Sequence, residues 1–141
     1  MELPFEQSLG YLTRELNRAI QRELAARIAP FGVTSGQWYF LRVLWQRDGI
    51  TQRELADGLG MREPTAMAAL RGMEEAGWIS RRAAPDDARK RIVTLTRRGR
   101  ALEARLLPVA AALLDEAMDG MDAAQRESLL AALRQARANL P

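Results

Sequence analysis

Apolar residues recur along this chain at helical spacing in six stretches and at alternating positions in one. Phe5, Leu9, Leu12, Leu16, Ile20 and Leu24 form a long stripe through PFEQSLGYLTRELNRAIQRELAARIAPFG, which predicts a helix stopped by Pro30 and Gly32. The next segment, TSGQWYFLRVLWQRDG, opens with Thr34 and has Gln37 three residues on, the spacing of a reciprocal cap. It places Trp38, Leu41, Leu44 and Trp45 inward and ends at Asp48-Gly49. TQRE repeats the cap with Thr51 and Glu54, and the helix it starts carries Leu55, Ala56 and Leu59 inward. After Gly60 a fourth helix runs through PTAMAALRGMEEAG, with Pro64 in its first turn and Gly77 as its C-terminal cap.

The period then changes. Trp78-Ile79 begins a short strand, and RIVTLT, Arg91 to Thr96, is rich in β-branched residues, so the pair reads as a hairpin. From about Thr96 a long helix carries Leu102, Leu106, Val109, Leu113 and Ala117, with a kink expected at Pro108, whose ring removes a backbone donor. Asp122 with Gln125 caps a last helix bearing Leu129, Leu130, Leu133 and Ala136. The expected fold class is mostly α with a small β-hairpin, in a single domain over 1–141 without repeats or a linker.

Composition narrows the chemistry. The chain has 141 residues with neither cysteine nor histidine, which removes disulfides, thiolate or imidazole metal sites, thiol redox sensing and the usual general base near neutral pH. No cluster of nucleophile, base and orienting group appears, so an enzyme is not expected, nor is a cofactor or metal. The formal net charge is +3, and its distribution is more informative than its size. Basic and acidic residues number 6 and 5 over 1–49, 11 and 7 over 50–100, and 4 and 6 over 101–141. A positive middle third is the footprint of a polyanion-binding surface. No apolar run is long enough to span a bilayer and the start, MELPFEQSL, is not a signal peptide, so the expected location is cytoplasmic, without a membrane partner.

Two adjacent features give this positive region a shape. Residues 52–71, QRELADGLGMREPTAMAALR, fit a helix-turn-helix, with small Ala56 for close helix approach, Gly60 in the turn, and Leu55, Leu59, Met61, Ala66 and Ala69 filling the core. The same pattern also fits an ordinary helical hairpin. The basic hairpin that follows favours a winged helix, in which the second helix enters the major groove and the hairpin reaches an adjacent groove. In RRAAPDDARKRIVTLTRRGR, residues 81–100, eight of twenty positions are basic, and Asp87 stands two residues before Arg89, where its carboxylate can aim the guanidinium. A solvated loop with local ion pairs is the alternative reading. Such pairs are worth only ~0–1 kcal/mol, so folding alone gives little reason for the cluster.

Taken together, the long first helix, Thr34-x-x-Gln37-Trp38, TQRELADGLG, MEEAGWI, P-D-D-A-R and V-x-L-T-x-x-G at Val93 to Gly99 resemble the MarR transcriptional regulators over essentially the whole chain. That resemblance implies a winged helix-turn-helix region over 34–96 within an interlocked helical homodimer, its dimerisation helices lying in 1–32 and 97–141. Its wing motif D-x-R falls on Asp87 and Arg89, making Arg89 the minor-groove finger, with Lys90 and Arg91 beside it. Its recognition helix falls on 62–76, so Arg62, Thr65, Met67, Ala68 and Arg71 face bases or phosphates. Thr51 and Gln52, at the start of the preceding helix, are expected phosphate contacts through side chain and backbone amide. Where many relatives carry a polar or basic residue near the middle of this helix, the chain has Met67-Ala68-Ala69, which shifts the expected readout toward thymine methyls and groove shape.

The outer helices carry more apolar surface than one small core needs. They either fold back on their own subunit or pair across a two-fold axis, as the resemblance and a pseudo-palindromic double-stranded DNA operator imply. Members of the family often bind small aromatic or anionic effectors between the dimerisation helices and the winged region. Tyr11, Arg14, Arg18, Trp38 and Arg42 lie on segments bordering that space, although Trp38 equally fits plain core and the arginines a solvated face. The expected function is a homodimeric repressor released by such an effector. The alternative is a ligand-independent winged helix used for DNA packaging or protein contact.

Overall fold

The computed structural model describes residues 1–141. Six helices and three short strands follow in order: α1 Leu9–Ile28, α2 Ser35–Gln46, β1 Ile50–Thr51, α3 Gln52–Gly58, α4 Glu63–Glu75, β2 Ile79–Ala83, β3 Arg91–Leu95, α5 Arg97–Ala117 and α6 Ala123–Ala138. All three reciprocal caps expected from sequence are present, Thr34 with Gln37, Thr51 with Glu54 and Asp122 with Gln125. Gly60 occupies the α3–α4 turn at φ 62°, a left-handed conformation that a β-carbon would disfavour.

Two features depart from the sequence reading. The first helix begins at Leu9, because Ser8 accepts the Tyr11 amide as its cap, while Phe5–Gln7 forms a separate 3-10 turn after Pro4. Phe5 therefore lies outside the helix. The wing is also more than a hairpin. Ile50 and Thr51 pair with Val93 and Ile92, giving an antiparallel sheet in the order β1-β3-β2. Two residues beside a glycine are too short to show an alternating pattern. The long helix expected from about Thr96 is α5, and Pro108 within it removes the amide that would bond the Ala104 carbonyl.

The core lies where α2, α3, α4, the sheet and the first half of α5 meet. Phe40, Leu41, Leu44, Leu55, Leu70, Met73, Val93 and Leu106 have essentially no exposed surface, and α1 adds Leu24 and Ile28. The joint between sheet and α5 is close. A β-carbon on Gly99 would lie 2.1 Å from the Trp78 carbonyl oxygen, so only glycine permits this approach. Thr96 completes the joint, accepting the Gly99 amide and donating its own proton to the Gly77 carbonyl at 2.6 Å. Trp45, half-buried, donates its indole N–H to the Gly99 carbonyl at 3.0 Å. At the other end of α5, Arg27 of α1 grips both carboxylate oxygens of Glu116, at 2.9 and 2.7 Å.

Candidate nucleic-acid interface

The buried residues of α4 are Ala66, Leu70 and Met73, spaced three and four apart, and this line fixes which side of the helix is free. Opposite it, Thr65, Ala68 and Arg71 are exposed in one row, with Arg62 exposed just before the helix. Met67 belongs elsewhere. It lies one residue from Ala66 and three from Leu70, is half-buried, and turns its sulfur to within 3.8 Å of Arg81 Nη1. Of the five residues expected to face DNA from this helix, Met67 is the one that the structure half-buries.

The wing projects beyond α3. Arg89 is 92% exposed at its tip, yet its guanidinium is not free to wander, because Nε donates to Asp87 Oδ1 at 3.2 Å and Nη2 to Oδ2 at 3.4 Å. The Arg89 backbone amide also donates to Asp87 Oδ1 at 3.0 Å. These side-chain and backbone bonds from Arg89, aided by the charge of Lys90, hold the Asp87 carboxyl below the usual aspartate range. Lys90 and Arg91 are exposed beside it. Between the wing and the first turn of α3 runs an open groove of about 570 Å³. Arg53, Arg89, Lys90 and Arg91 border it, but so do Glu54, Asp57, Glu63 and Asp87, so the lining is balanced in charge, with its basic residues gathered mainly at the wing and its acidic ones mainly on the helices.

Two residues at the start of α3 are committed more deeply than their sequence suggests. The Thr51 hydroxyl accepts the Glu54 amide at 3.1 Å and donates to the Glu54 carboxylate at 3.0 Å. Gln52 is buried, and its side-chain oxygen accepts from Arg81 Nη1 at 3.0 Å. Both side chains thus have partners within the chain, and the backbone amides of Thr51 and Gln52 lie at a helix N-terminus. Arg53, exposed on the groove, was missed because nothing in its local pattern distinguishes it from other surface arginines.

A second cavity, of about 500 Å³, opens between α1, α2 and α5. Ile20, Leu24, Leu107 and Leu113 make it apolar, Trp38 and Tyr39 line one side, and Arg42 is its one charged residue, with its guanidinium 5.9 Å from the Trp38 ring centre. Of the five residues expected here, the structure brings together only Trp38 and Arg42. Tyr11 packs on Phe5 with ring centres 4.7 Å apart, Arg18 pairs with Glu15 at 3.5 Å, and Arg14 is exposed. None of these three lines the cavity within this chain. Tyr39, which the sequence reading omitted, is held by the Gln21 side chain.

No group of acidic side chains is arranged to hold a metal ion, and no helix is long and apolar enough to cross a membrane. A two-helix unit with a free outer face, followed at once by an Arg-tipped sheet, defines the winged helix-turn-helix class of regulators. The MarR family model matches residues 33–90. The HTH-type transcriptional repressor Rv2887 of Mycobacterium tuberculosis is 34% identical over 105 residues, covering 74% of this chain and 76% of that one. Among solved structures, a MarR transcriptional regulator from Methanosarcina mazei Go1 superposes with a TM-score of 0.88 at 29% identity, covering 93% of this chain and 94% of that one. CouR, a transcriptional repressor solved on a 23-mer DNA duplex, gives a TM-score of 0.86 at 28% identity, covering 97% of this chain and 99% of that one. The chain belongs to the MarR family, and it is a transcriptional regulator, not an enzyme.

Proposed function

We propose that this chain is a sequence-specific, double-stranded DNA-binding repressor that works as a homodimer in the cytoplasm and is released by a small aromatic or anionic effector. The observation that carries the reading is the wing tip, where an exposed arginine is aimed by a carboxylate two residues before it. A guanidinium held in this way enters a narrow groove without first losing its conformational freedom. Thr65, Ala68 and Arg71 supply the major-groove face, and Arg62, Lys90, Arg91 and the amides of Thr51 and Gln52 supply phosphate contacts. The DNA complex of CouR supports the same use of the fold.

Residues 34–96 form the DNA-binding region, and 1–32 with 97–141 form the dimerisation helices. Supporting this division, α6 buries none of its residues within the chain, and Leu9, Leu12 and Leu16 of α1 are exposed. A two-fold dimer then sets two copies of α4 about one DNA turn, ~34–36 Å, apart on a pseudo-palindromic operator. The apolar cavity holding Trp38, Tyr39 and Arg42 suits an amphipathic aromatic carboxylate. A chain without thiols or imidazoles is most simply switched by ligand occupancy, and a releasing ligand must bind the DNA-incompetent state more tightly.

Selection of bound sequences from a random DNA pool, followed by footprinting, tests this. A defined palindromic footprint whose affinity falls steeply with salt is the expected result. Uniform protection of any sequence favours packaging instead, and an operator complex indifferent to aryl-acid ligands removes the effector.

A further inference from the structure

Gln52 is the one polar side chain in the buried set, and the group that satisfies it comes from 29 residues away. Strand alternation explains how. Arg81 is the register partner of Val93 in the β2–β3 ladder, and partners across an antiparallel ladder present their side chains to the same face. Val93 is fully buried, so Arg81 is turned toward the helices rather than out along the wing, and its side chain is only 13% exposed. From there Nη1 donates to Oε1 of Gln52, the first residue of α3, at 3.0 Å. Nε and Nη2 donate to the two carboxylate oxygens of Glu74, in the last turn of α4, each at 3.2 Å. One guanidinium thus joins the start of α3, the end of α4 and the base of the wing.

Local structure leaves that junction in need of a strut. Helix α3 has seven residues, four residues separate it from α4, and the N-terminus of α4 has no side-chain cap. Apolar packing alone would hold the elements together, since a buried polar network is often no more stable than an apolar replacement of the same volume. A planar fork adds direction, because its bonds form only at particular angles.

We propose that Arg81 is a positioning residue, which fixes the orientation of α4 against α3 and the wing so that the outward row meets base edges in one register. The inference rests on the DNA-binding reading above. Arg81 itself stays off the nucleic acid and acts through Gln52 and Glu74.

The test compares wild type with Arg81→Lys, which keeps the charge but loses the fork, and with the triple variant Gln52→Leu, Glu74→Leu, Arg81→Met, which removes the network without leaving a buried group unpaired. Three quantities are read for each: the affinity ratio between a pool-selected operator and random DNA, the slope of log affinity against log salt, and amide exchange in α4 without DNA. The triple variant is expected to melt at or above the wild-type temperature, to lose about tenfold in the ratio, to keep its salt slope, and to exchange α4 amides faster than those of α2. Arg81→Lys is expected to lose a smaller part of the ratio. A folded triple variant with the wild-type ratio overturns the inference. If the triple variant does not fold, Arg81→Lys with an undiminished ratio does the same. A salt slope lowered by about one unit in either variant also overturns it, marking Arg81 as a phosphate ligand. If wild type selects no sequence while α4 exchange responds as expected, the DNA reading fails and the positioning of α4 stands.

Discussion

Residues 34–96 and the helices flanking them spend their apolar side chains differently. In the middle region Phe40, Leu41, Leu44, Leu55, Leu70 and Val93 are sealed within the chain, and what faces outward is charged or small. In the flanks the apolar stripe of α1 is buried only at its far end, by Leu24 and Ile28, while Leu9 is 60% and Leu12 52% exposed. One region has completed its core and offers a polar face, as a partner made of phosphates and bases requires. The other offers an uncovered apolar face, the surface a second copy would cover. A single chain therefore displays two kinds of uncovered surface, one charged and one apolar, which the proposed DNA contact and the proposed dimer would cover.

Making the same substitution in both regions gives the largest contrast. Leu44→Ala is expected to cost about 2–5 kcal/mol at any protein concentration, through lost transfer energy and a cavity, measured by urea unfolding. Leu12→Ala should show its cost chiefly at concentrations where wild type is dimeric, as a weaker association constant in sedimentation and a melting temperature less dependent on concentration. Equal, concentration-independent losses would erase the distinction between the two regions.

The joint between the regions comes next. Gly99→Ala places a methyl group where the Trp78 carbonyl stands, so a loss of about 1–3 kcal/mol is expected even though alanine is the better helix former. A stabilised variant in thermal unfolding would show that α5 and the sheet can move apart freely.

At the wing, stability and binding should separate. Arg89→Ala is expected to change folding stability by less than about 0.5 kcal/mol, as exposed surface substitutions do, while strongly weakening operator binding at matched salt. In α4, Thr65→Ala or Arg71→Ala should alter base preference by roughly 1–3 kcal/mol per lost contact, whereas Thr51→Ala should weaken all sequences alike through loss of the helix cap. An unchanged preference in both α4 variants removes them from direct readout.

The smallest expected effect concerns acidity. Arg89 holds the Asp87 carboxyl below its ordinary range, so the tether is fully formed above the unfolded-state value of about 4 and is lost as pH falls through the lower folded-state value. An NMR titration should give Asp87 a midpoint below that of an ordinary aspartate, and Arg89→Ala should raise it. Coinciding midpoints in wild type and variant would remove the tether.

Features set by local chemistry were legible in the sequence. Each cap joins residues three apart, so Thr34, Thr51 and Asp122 announce themselves, and the wing's Asp87 and Arg89 are two apart. The V-x-L-T-x-x-G run likewise has a local meaning, with Thr96 capping α5 and Gly99 allowing its close approach to Trp78. What stayed hidden depends on distant partners. Nothing near Gln52 indicates that its amide is buried against an arginine from β2, and Ile50 gives no sign of pairing with Val93. Tyr11, Arg14 and Arg18 were placed by segment, whereas within one chain the cavity is bordered on α1 by Ile20 and Leu24.

The close joint at Gly99 also sets what the two halves of α5 are tied to. Thr96, Gly99 and the Trp45 indole couple the first turn of α5 to the end of α4 and the base of the sheet, so that turn travels with them as one rigid piece. Farther along α5 stands Pro108, where a backbone bond is missing. From Arg97 to Pro108 the helix runs about 16 Å at 1.5 Å per residue. Proline at this position leaves one backbone bond open midway along α5, beside the apolar cavity through Leu107 and between the half of the helix joined to the winged region and the half that packs on α1.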